Sequence, residues 1–138
     1  MHAAYIFLQS MLSGDDNMIQ NKSMVDSIAT CLDCYKTCAE TKAHCIEMGG
    51  THVSAKHLMI MEDCIRICQI SADFIIRNSP HHHHIAKECA EICRECATAC
   101  DAFPEEFMKE CARHCNNCAD SCEKMAGAHT TAASKSKH

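Results

Sequence analysis

Cysteine recurs along this chain with the period of an α-helix. One set of four cysteines has spacings of four, three and four residues, and the same spacings return further along the chain. At about 100° per residue, they place the four sulfur atoms of a set within an arc of roughly 60°. Each set is therefore predicted to form one stripe of thiols on one helix. The two sets are Cys89, Cys93, Cys96 and Cys100, and Cys111, Cys115, Cys118 and Cys122.

Six further cysteines extend this pattern to two earlier segments. In an ordinary helical bundle such positions hold large aliphatic residues, whose burial contributes roughly 25 cal/mol per Å². A core of fourteen cysteines would leave cavities between the helices. Metal ions bound by thiolates would fill that space and supply folding energy. The six are Cys31, Cys34, Cys38 and Cys45, within about 60° of arc, and Cys64 and Cys68.

Turn-forming residues divide the chain into four helical segments. Glycine, proline, serine and asparagine cluster at residues 49–51, 78–80 and 101–104. β-Branched and aromatic residues are scarce, which argues against a sheet. The links between the helical segments are short, so neighbouring helices must run antiparallel. The sequence predicts one all-α domain over residues 1–127, an antiparallel up-down four-helix bundle, with Pro104 in the first turn of the last helix. The segments cover roughly residues 21–48, 52–78, 81–101 and 104–127.

The two ends of the chain are predicted to lie outside the bundle. Residues 1–12 are mildly apolar and are expected to form a short extra helix. No Lys or Arg precedes their apolar run, so we expect neither a secretory signal nor a membrane span, and the cytoplasm is the expected compartment. Residues 128–138 have no apolar period and are predicted to be a disordered tail.

The thiol stripes favour Cu(I) over other metals. Many thiolates with few imidazoles or carboxylates in register select Cu(I), Zn(II) or iron–sulfur clusters. A linear two-sulfur site needs sulfurs about 4.5 Å apart, which one C-x3-C pair on a helix can supply. Zinc knuckles on turns and ferredoxin-type cysteine spacings are not matched. A Zn(II)-thiolate buffer, an iron–sulfur electron carrier and a metal-free scaffold protein remain alternatives, and disulfides are disfavoured because cysteines on one helix face are badly oriented.

Imidazole and thioether groups cluster near the turn at residues 49–51. Both groups can transfer soft ions to thiolates without holding them as tightly, which makes these residues candidate entrance or auxiliary ligands. The alternative is that the methionines fill the core and the histidines lie on the surface. The candidates are His44, Met48, His57, Met61 and Met108. At the other end, an apolar plug is predicted from Met24, Ile28, Ile75, Ile85 and Met125.

The remaining histidines and the charged residues give weaker signals. Four consecutive histidines, residues 81–84, form either a metal-binding run or a solvated loop, with His82 in line with the cysteine stripe. His114 flanks the last stripe and is a weaker ligand candidate. No catalytic triad, carboxylate pair or phosphate-binding loop is found, so no enzyme is predicted. The net charge of −5 has no acidic or basic blocks, which argues against nucleic-acid or membrane partners.

These spacings resemble the bacterial copper storage proteins, a cysteine-rich four-helix-bundle family, and look closest to its cytosolic branch. The resemblance covers roughly residues 25–125 and rests on all four stripes. It implies Cu(I)–thiolate clusters along the bundle axis, with all fourteen cysteines as ligands and many ions per chain. It also implies a homotetramer that stores or sequesters copper, with a copper donor or client protein as a further partner. The mixture of His and Met near the entrance departs from the cytosolic relatives, which tend to use His there.

Overall fold

Four long helices form the part of the chain that the structure describes. The computed structural model describes residues 18–136, with side chains over residues 22–127. The helices are α1 (Met18–Met48), α2 (Ala55–Ile76), α3 (His82–Asp101) and α4 (Glu106–Ser136), and a short 3₁₀ helix spans Gly50–Val53. Each helix packs against the next in sequence, and α1 packs against α4, which closes the ring. The predicted all-α up-down four-helix bundle is confirmed.

Two glycines make the turn that follows α1. Gly49 and Gly50 have φ values of 70° and 59°, in the left-handed region where a side chain would be strained. The chain then forms the 3₁₀ helix, and Ser54 caps α2 by accepting a hydrogen bond from the backbone N–H of His57 at 3.3 Å. The second long helix therefore begins at Ala55, three residues later than predicted, because a separate helical turn precedes it.

The other two turns end and begin helices by backbone hydrogen bonds. After α2, the N–H of Asn78 donates to the carbonyl of Ile75 at 2.9 Å, and Asn78 itself has a φ of 51°, as at many helix ends. Before α4, the carbonyl of Glu105 accepts from the N–H groups of Met108 and Lys109. Glu105 thus caps the helix, and Pro104 lies just before it rather than in its first turn. This corrects the predicted start at residue 104.

Helix α4 also ends later than predicted. The backbone of α4 is helical as far as Ser136, nine residues past the predicted end of the bundle domain at residue 127. Alanine and lysine are strong helix formers, and neither glycine nor proline follows Gly127. The short helix predicted for residues 1–12 lies outside the described residues.

Charged side chains lie on the surface and join neighbouring helices. The Lys42 ammonium lies 2.6 Å from the Glu62 carboxylate, which links α1 to α2. Arg94 on α3 contacts Asp120 at 2.5 Å and Glu123 at 3.1 Å, both on α4. Such exposed pairs each contribute about 0–1 kcal/mol, so the interior must supply most of the stability. Within residues 18–136, no helix is both long and apolar enough to cross a bilayer.

Candidate metal centre

Free thiols fill the interior of the bundle. All fourteen cysteines are free and fully buried, with 0% exposure. The four predicted stripes therefore face one another along a common axis. Buried alanines such as Ala90 and Ala97 on α3, and Ala112 and Ala119 on α4, flank the thiols. Small side chains at these positions let the two helices approach closely, which brings their sulfur atoms together.

The sulfur atoms lie close enough to share metal ions. The Cys38 Sγ lies 3.5 Å from the Sγ atoms of both Cys111 and Cys115. The Cys34 Sγ lies 3.8 Å from that of Cys64. A disulfide bond is about 2.05 Å long, so these are contacts between separate thiols, and the disulfide alternative is not found. An ion about 2.3 Å from three sulfurs would hold them about 4 Å apart, which matches the observed spacing.

The thiols form overlapping groups. In four groups of four cysteines, every sulfur lies within 4.8 Å of the other three. Cys34 and Cys64 each belong to two groups, as do Cys68 and Cys93. Because groups share members, one thiolate can bridge neighbouring ions, as soft metal clusters require. The groups are Cys31, Cys89, Cys118 and Cys122; Cys34, Cys64, Cys68 and Cys93; Cys34, Cys38, Cys64 and Cys115; and Cys68, Cys89, Cys93 and Cys118.

The other four cysteines extend the axis toward the turn at residues 49–51. The Cys111 Sγ lies 3.8 Å from the Sγ of Cys100, and it also contacts Cys38 as described above. Cys96 is buried on the same helix, one turn before Cys100. The contacts between sulfur atoms thus run from Cys31 to Cys100 and Cys111. Cys45, the last thiol of α1 before the turn, contacts a histidine and a methionine.

The charge balance of the core favours a monovalent ion. No Asp, Glu, Lys or Arg is buried among residues 22–127. Four thiolates around Zn(II) carry a net charge of −2, which a dry interior without counter-ions would strongly disfavour. One Cu(I) per thiolate is neutral. The absence of buried charge in this part of the chain therefore favours Cu(I) over Zn(II).

Contacts between neighbouring thiols shift their pKa values in opposite directions. The contact with Cys115, at 3.9 Å between the sulfur atoms, lowers the pKa of Cys64. The contact with Cys111 raises the pKa of Cys115. Burial by itself raises the pKa of both thiols, and the contacts between sulfur atoms set the sign of each net shift.

Cys45, His57 and Met108 form a mixed-donor site at one end of the axis, the entrance site. The Cys45 Sγ lies 3.6 Å from both the His57 Nε2 and the Met108 Sδ. Met61 is also fully buried at this end. Burial lowers the pKa of His57, so the imidazole is neutral and can donate a lone pair to a metal. Burial raises the pKa of Cys45 to about 11, so the empty site holds a thiol.

Two of the predicted entrance residues lie away from this site. His44 is exposed and contacts the Phe107 ring, with 5.2 Å between ring centres. The Met48 side chain is 51% exposed. Met48 follows the stripe by spacing, but α1 ends there and α2 begins only at Ala55, so no helix covers it. The structure brings His57 and Met108 to Cys45, buries Met61 one turn after His57 on α2, and leaves His44 and Met48 outside.

A layer of rings that spacing did not predict covers the entrance site. His52 is buried on the 3₁₀ helix, with its ring centre 4.2 Å from that of Phe103. The His52 Nε2 lies 2.8 Å from the Glu105 Oε1, and Phe103 also contacts the His57 ring at 4.9 Å. Burial acts to raise the pKa of Glu105, but hydrogen bonds from its own backbone and from His52 outweigh this and lower it. These residues lie in turns, where helical periodicity gives no signal.

Apolar residues close the opposite end, as predicted. Met24, Ile28, Ile75 and Met125 are buried there, and Ile85 is partly buried. Ser71 continues the α2 stripe, is fully buried, and its Oγ has no hydrogen-bond partner among the described residues. We call this the apolar end.

The remaining candidate histidines lie outside the thiol axis or at its apolar end. His82 is buried, and its ring centre lies 3.9 Å from that of His83. His83 Nδ1 donates to the carbonyl of Met125 at 3.0 Å. His114 lies 3.0 Å from the Glu110 carboxylate on an exposed part of α4, so it does not approach the sulfur atoms.

A helical bundle with a core of free buried thiols, and with a cysteine, a histidine and a methionine in contact at one end, is suited to hold soft metal ions. The family model described as copper storage protein matches residues 20–127. The chain belongs to the copper storage protein family.

Solved structures agree with this assignment. The chain is similar to the Nmul_A1745 protein of Nitrosospira multiformis, with 39% identity and a TM-score of 0.74 over 78% of this chain and 97% of the other. It is also similar to the Cu(I)-bound copper storage protein BsCsp3 of Bacillus subtilis, with 29% identity and a TM-score of 0.72 over 75% and 98% of the two chains. Ccsp of Streptomyces lividans, loaded with 10 copper equivalents, shares the fold at 21% identity, with a TM-score of 0.73 over 87% and 98%.

Proposed function

We propose that this chain stores copper by holding many Cu(I) ions as thiolate complexes along the bundle axis. The observation that supports this most is the set of overlapping groups of four buried sulfurs within 4.8 Å of one another. Overlap permits bridging, and bridging lets the number of ions approach the number of thiols. We expect capacity on the order of one Cu(I) per cysteine.

We propose all fourteen cysteines as copper ligands, with the entrance site as the place where ions first bind. Its thioether and imidazole donors bind Cu(I) more weakly than bridging thiolates do, so an ion can move on toward the centre. Met61 lines this path. His44 and Met48 are exposed, and we assign neither of them a role in this transfer.

Copper also takes the place of the large aliphatic residues that a bundle core usually contains. Ions that bind the folded chain and not the unfolded one raise the unfolding free energy, by an amount that grows with the logarithm of the ratio of free ion concentration to Kd. Loaded protein should therefore melt well above the copper-free form. The role is storage or sequestration, and no group described above suggests catalysis.

Compartment and assembly are part of the same proposal. Fourteen free thiols need a reducing environment, which supports the cytoplasm. Large apolar side chains exposed on α1 and α2, among them Leu32, Ile46 and Met59, support a homo-oligomer, which we propose to be a tetramer. A copper donor or client protein is the expected macromolecular partner. Sedimentation equilibrium with and without copper measures the assembly.

An anaerobic Cu(I) titration against a strong chelator tests storage. We expect saturation near one ion per thiol, with copper counted per chain by elemental analysis. Saturation at one to three ions would exclude storage. Zinc that displaces bound Cu(I) would favour the zinc-buffer alternative, and iron in the purified protein would favour the electron-carrier alternative. Equal melting temperatures with and without copper would favour a metal-free scaffold.

A further inference from the structure

A groove on the flank of the bundle reaches the entrance site from the side, between α2 and α3. Its volume is about 540 Å³. Its floor is apolar and includes Ile60, Ala99 and Phe103. Lys56 and Glu95 lie on its rim, and both are exposed. This size is in the range of small-molecule sites, which usually combine an apolar floor with a few polar groups.

The route along the bundle axis is covered, whereas the groove is open. The Phe103 ring packs against both His52 and His57, with ring centres 4.2 and 4.9 Å apart. The His52 Nε2 lies 2.8 Å from the Glu105 Oε1, so His52 also contacts the turn before α4. Met61 and Met108 are fully buried beneath it. An ion moving along the axis would first have to displace these rings.

His57 connects the groove to the thiols. It lines the groove, and its Nε2 lies 3.6 Å from the Cys45 Sγ. One imidazole therefore separates a molecule in the groove from the first thiol of the axis. A metal ion presented in the groove needs to move only a few ångströms to gain the Cys45 sulfur as a ligand.

The groove also indicates what would carry the ion. Cu(I) prefers thiolate ligands, so its carrier must bring a sulfur atom to within bonding distance of the entrance site. The Lys56 ammonium can pair with a carboxylate of that carrier, and the Glu95 carboxylate can pair with an amine. We propose that the groove binds a small peptide-sized thiol with both a carboxylate and an amine, in its Cu(I)-loaded form, and that copper passes from it to Cys45. This inference rests on the proposed storage function.

The transfer is a ligand exchange without a change in oxidation state. The bond between Cu(I) and the carrier sulfur breaks, and a bond between Cu(I) and the Cys45 sulfur forms. Cys45 starts as a thiol, and its proton goes to the departing carrier sulfur, which leaves as a thiol. His57 and Met108 supply the other ligands during the exchange.

The test uses the Cu(I) complex of glutathione as the probe and measures loading rates of the full chain under anaerobic conditions. Ala99→Trp fills the groove floor, and Lys56→Glu reverses a charge on its rim. Matched controls make the same changes at exposed positions outside the groove, Ala43→Trp and Lys36→Glu. We expect each groove variant to load at least tenfold more slowly than its control, and the wild-type rate to saturate as the complex is increased. Copper-free glutathione should shift the amide NMR signals of Lys56, Glu95 and Ala99.

Three outcomes would overturn the proposal. The first is loading of both groove variants at the rates of their controls. The second is that the groove variants load just as slowly, relative to their controls, when Cu(I) comes from a bulky sulfonated chelator. Such a chelator is too large for the groove, so the substitutions would then be acting inside the bundle. The third is slowing for a copper-loaded donor protein but not for the glutathione complex, which would assign the groove to a protein. Each leaves the final copper count per chain unchanged, whereas failure of the storage function would lower that count, so the two failures are distinguishable.

Discussion

The end of the bundle near residues 49–51 places a histidine and a methionine against its last thiol, whereas the opposite end places isoleucines and methionines beyond the thiols. At the entrance site, the His57 imidazole and the Met108 thioether both lie 3.6 Å from the Cys45 sulfur. At the apolar end, Ile75 and Met125 are buried instead. A soft ion can pass from imidazole or thioether to thiolate at the first end, whereas at the second the isoleucines offer it no ligand and the Met24 and Met125 thioethers are the soft donors. We therefore expect exchange at the end where an imidazole and a thioether both contact a thiol.

Lowering the pH should produce the largest effect, and it should act on the thiols before it acts on the entrance imidazole. Burial raises the pKa of Cys45 to about 11, so a Cu(I) ion that binds there must displace a proton at neutral pH. For an ion held by the Cys45 thiolate, the apparent Kd should rise about tenfold for each pH unit lost. The pKa of His57 is lowered by burial, so this group stays neutral further into the acid range. Chelator competition at pH 7, 6 and 5 measures the effect, and a Kd independent of pH would contradict it.

Ile75→Ala should show that the apolar end serves stability and not copper exchange. Ile75 is fully buried, and deleting such a side chain leaves a cavity that costs about 2–5 kcal/mol of unfolding free energy. Urea denaturation of the copper-free chain measures the loss, with Ile70→Ala as the control at an exposed position of the same helix. The rate of copper loading should not change. Slower loading of a variant that folds fully would show that copper also passes through the apolar end.

His57→Ala should show the opposite behaviour at the entrance site. Removing the imidazole deletes one transfer ligand but leaves every thiol in place. We expect loading from a Cu(I)–chelator complex to slow about tenfold, which corresponds to about 1.4 kcal/mol in the barrier, and capacity to fall by no more than about one ion. His44→Ala is the matched control because His44 is exposed near the same end. Equal rates for the two variants would remove His57 from the path.

Periodicity predicts where a side chain lies around a helix but not what covers it. This is why the spacing of cysteines such as Cys89 and Cys93 was sufficient to place their sulfur atoms on the common axis. Met48 follows the same period three residues after Cys45, yet it is exposed because the facing helix begins only at Ala55. The predicted position of Met48 around α1 was right. Whether Met48 is buried also depends on where along the bundle the other helices begin, and the spacing of cysteines does not give that position.

The ring layer over the entrance site could not be predicted for a related reason. His52 and Phe103 come from two turns that are far apart in the sequence, and their rings meet only after the bundle forms. Neither residue belongs to a repeating pattern. The predicted end of the bundle at residue 127 rested on the loss of the apolar stripe, whereas the α4 backbone stays helical to Ser136 through residues that favour a helix, such as alanine.

The smallest expected effect concerns Ser71, which lies on the thiol stripe of α2 where the axis approaches the apolar end. Its Oγ is buried without a hydrogen-bond partner among the described residues, and such a group costs about 1–3 kcal/mol. Ser71→Ala should therefore raise the unfolding free energy by about 1 kcal/mol. Ser27→Ala should lower the unfolding free energy, because the Ser27 hydroxyl donates to the Ser121 carbonyl at 3.3 Å.

Ser71→Cys would extend the axis by one sulfur and should add about one Cu(I) per chain. An unchanged capacity in that variant would mean that the axis ends at Cys68 and Cys31, where hydrocarbon begins.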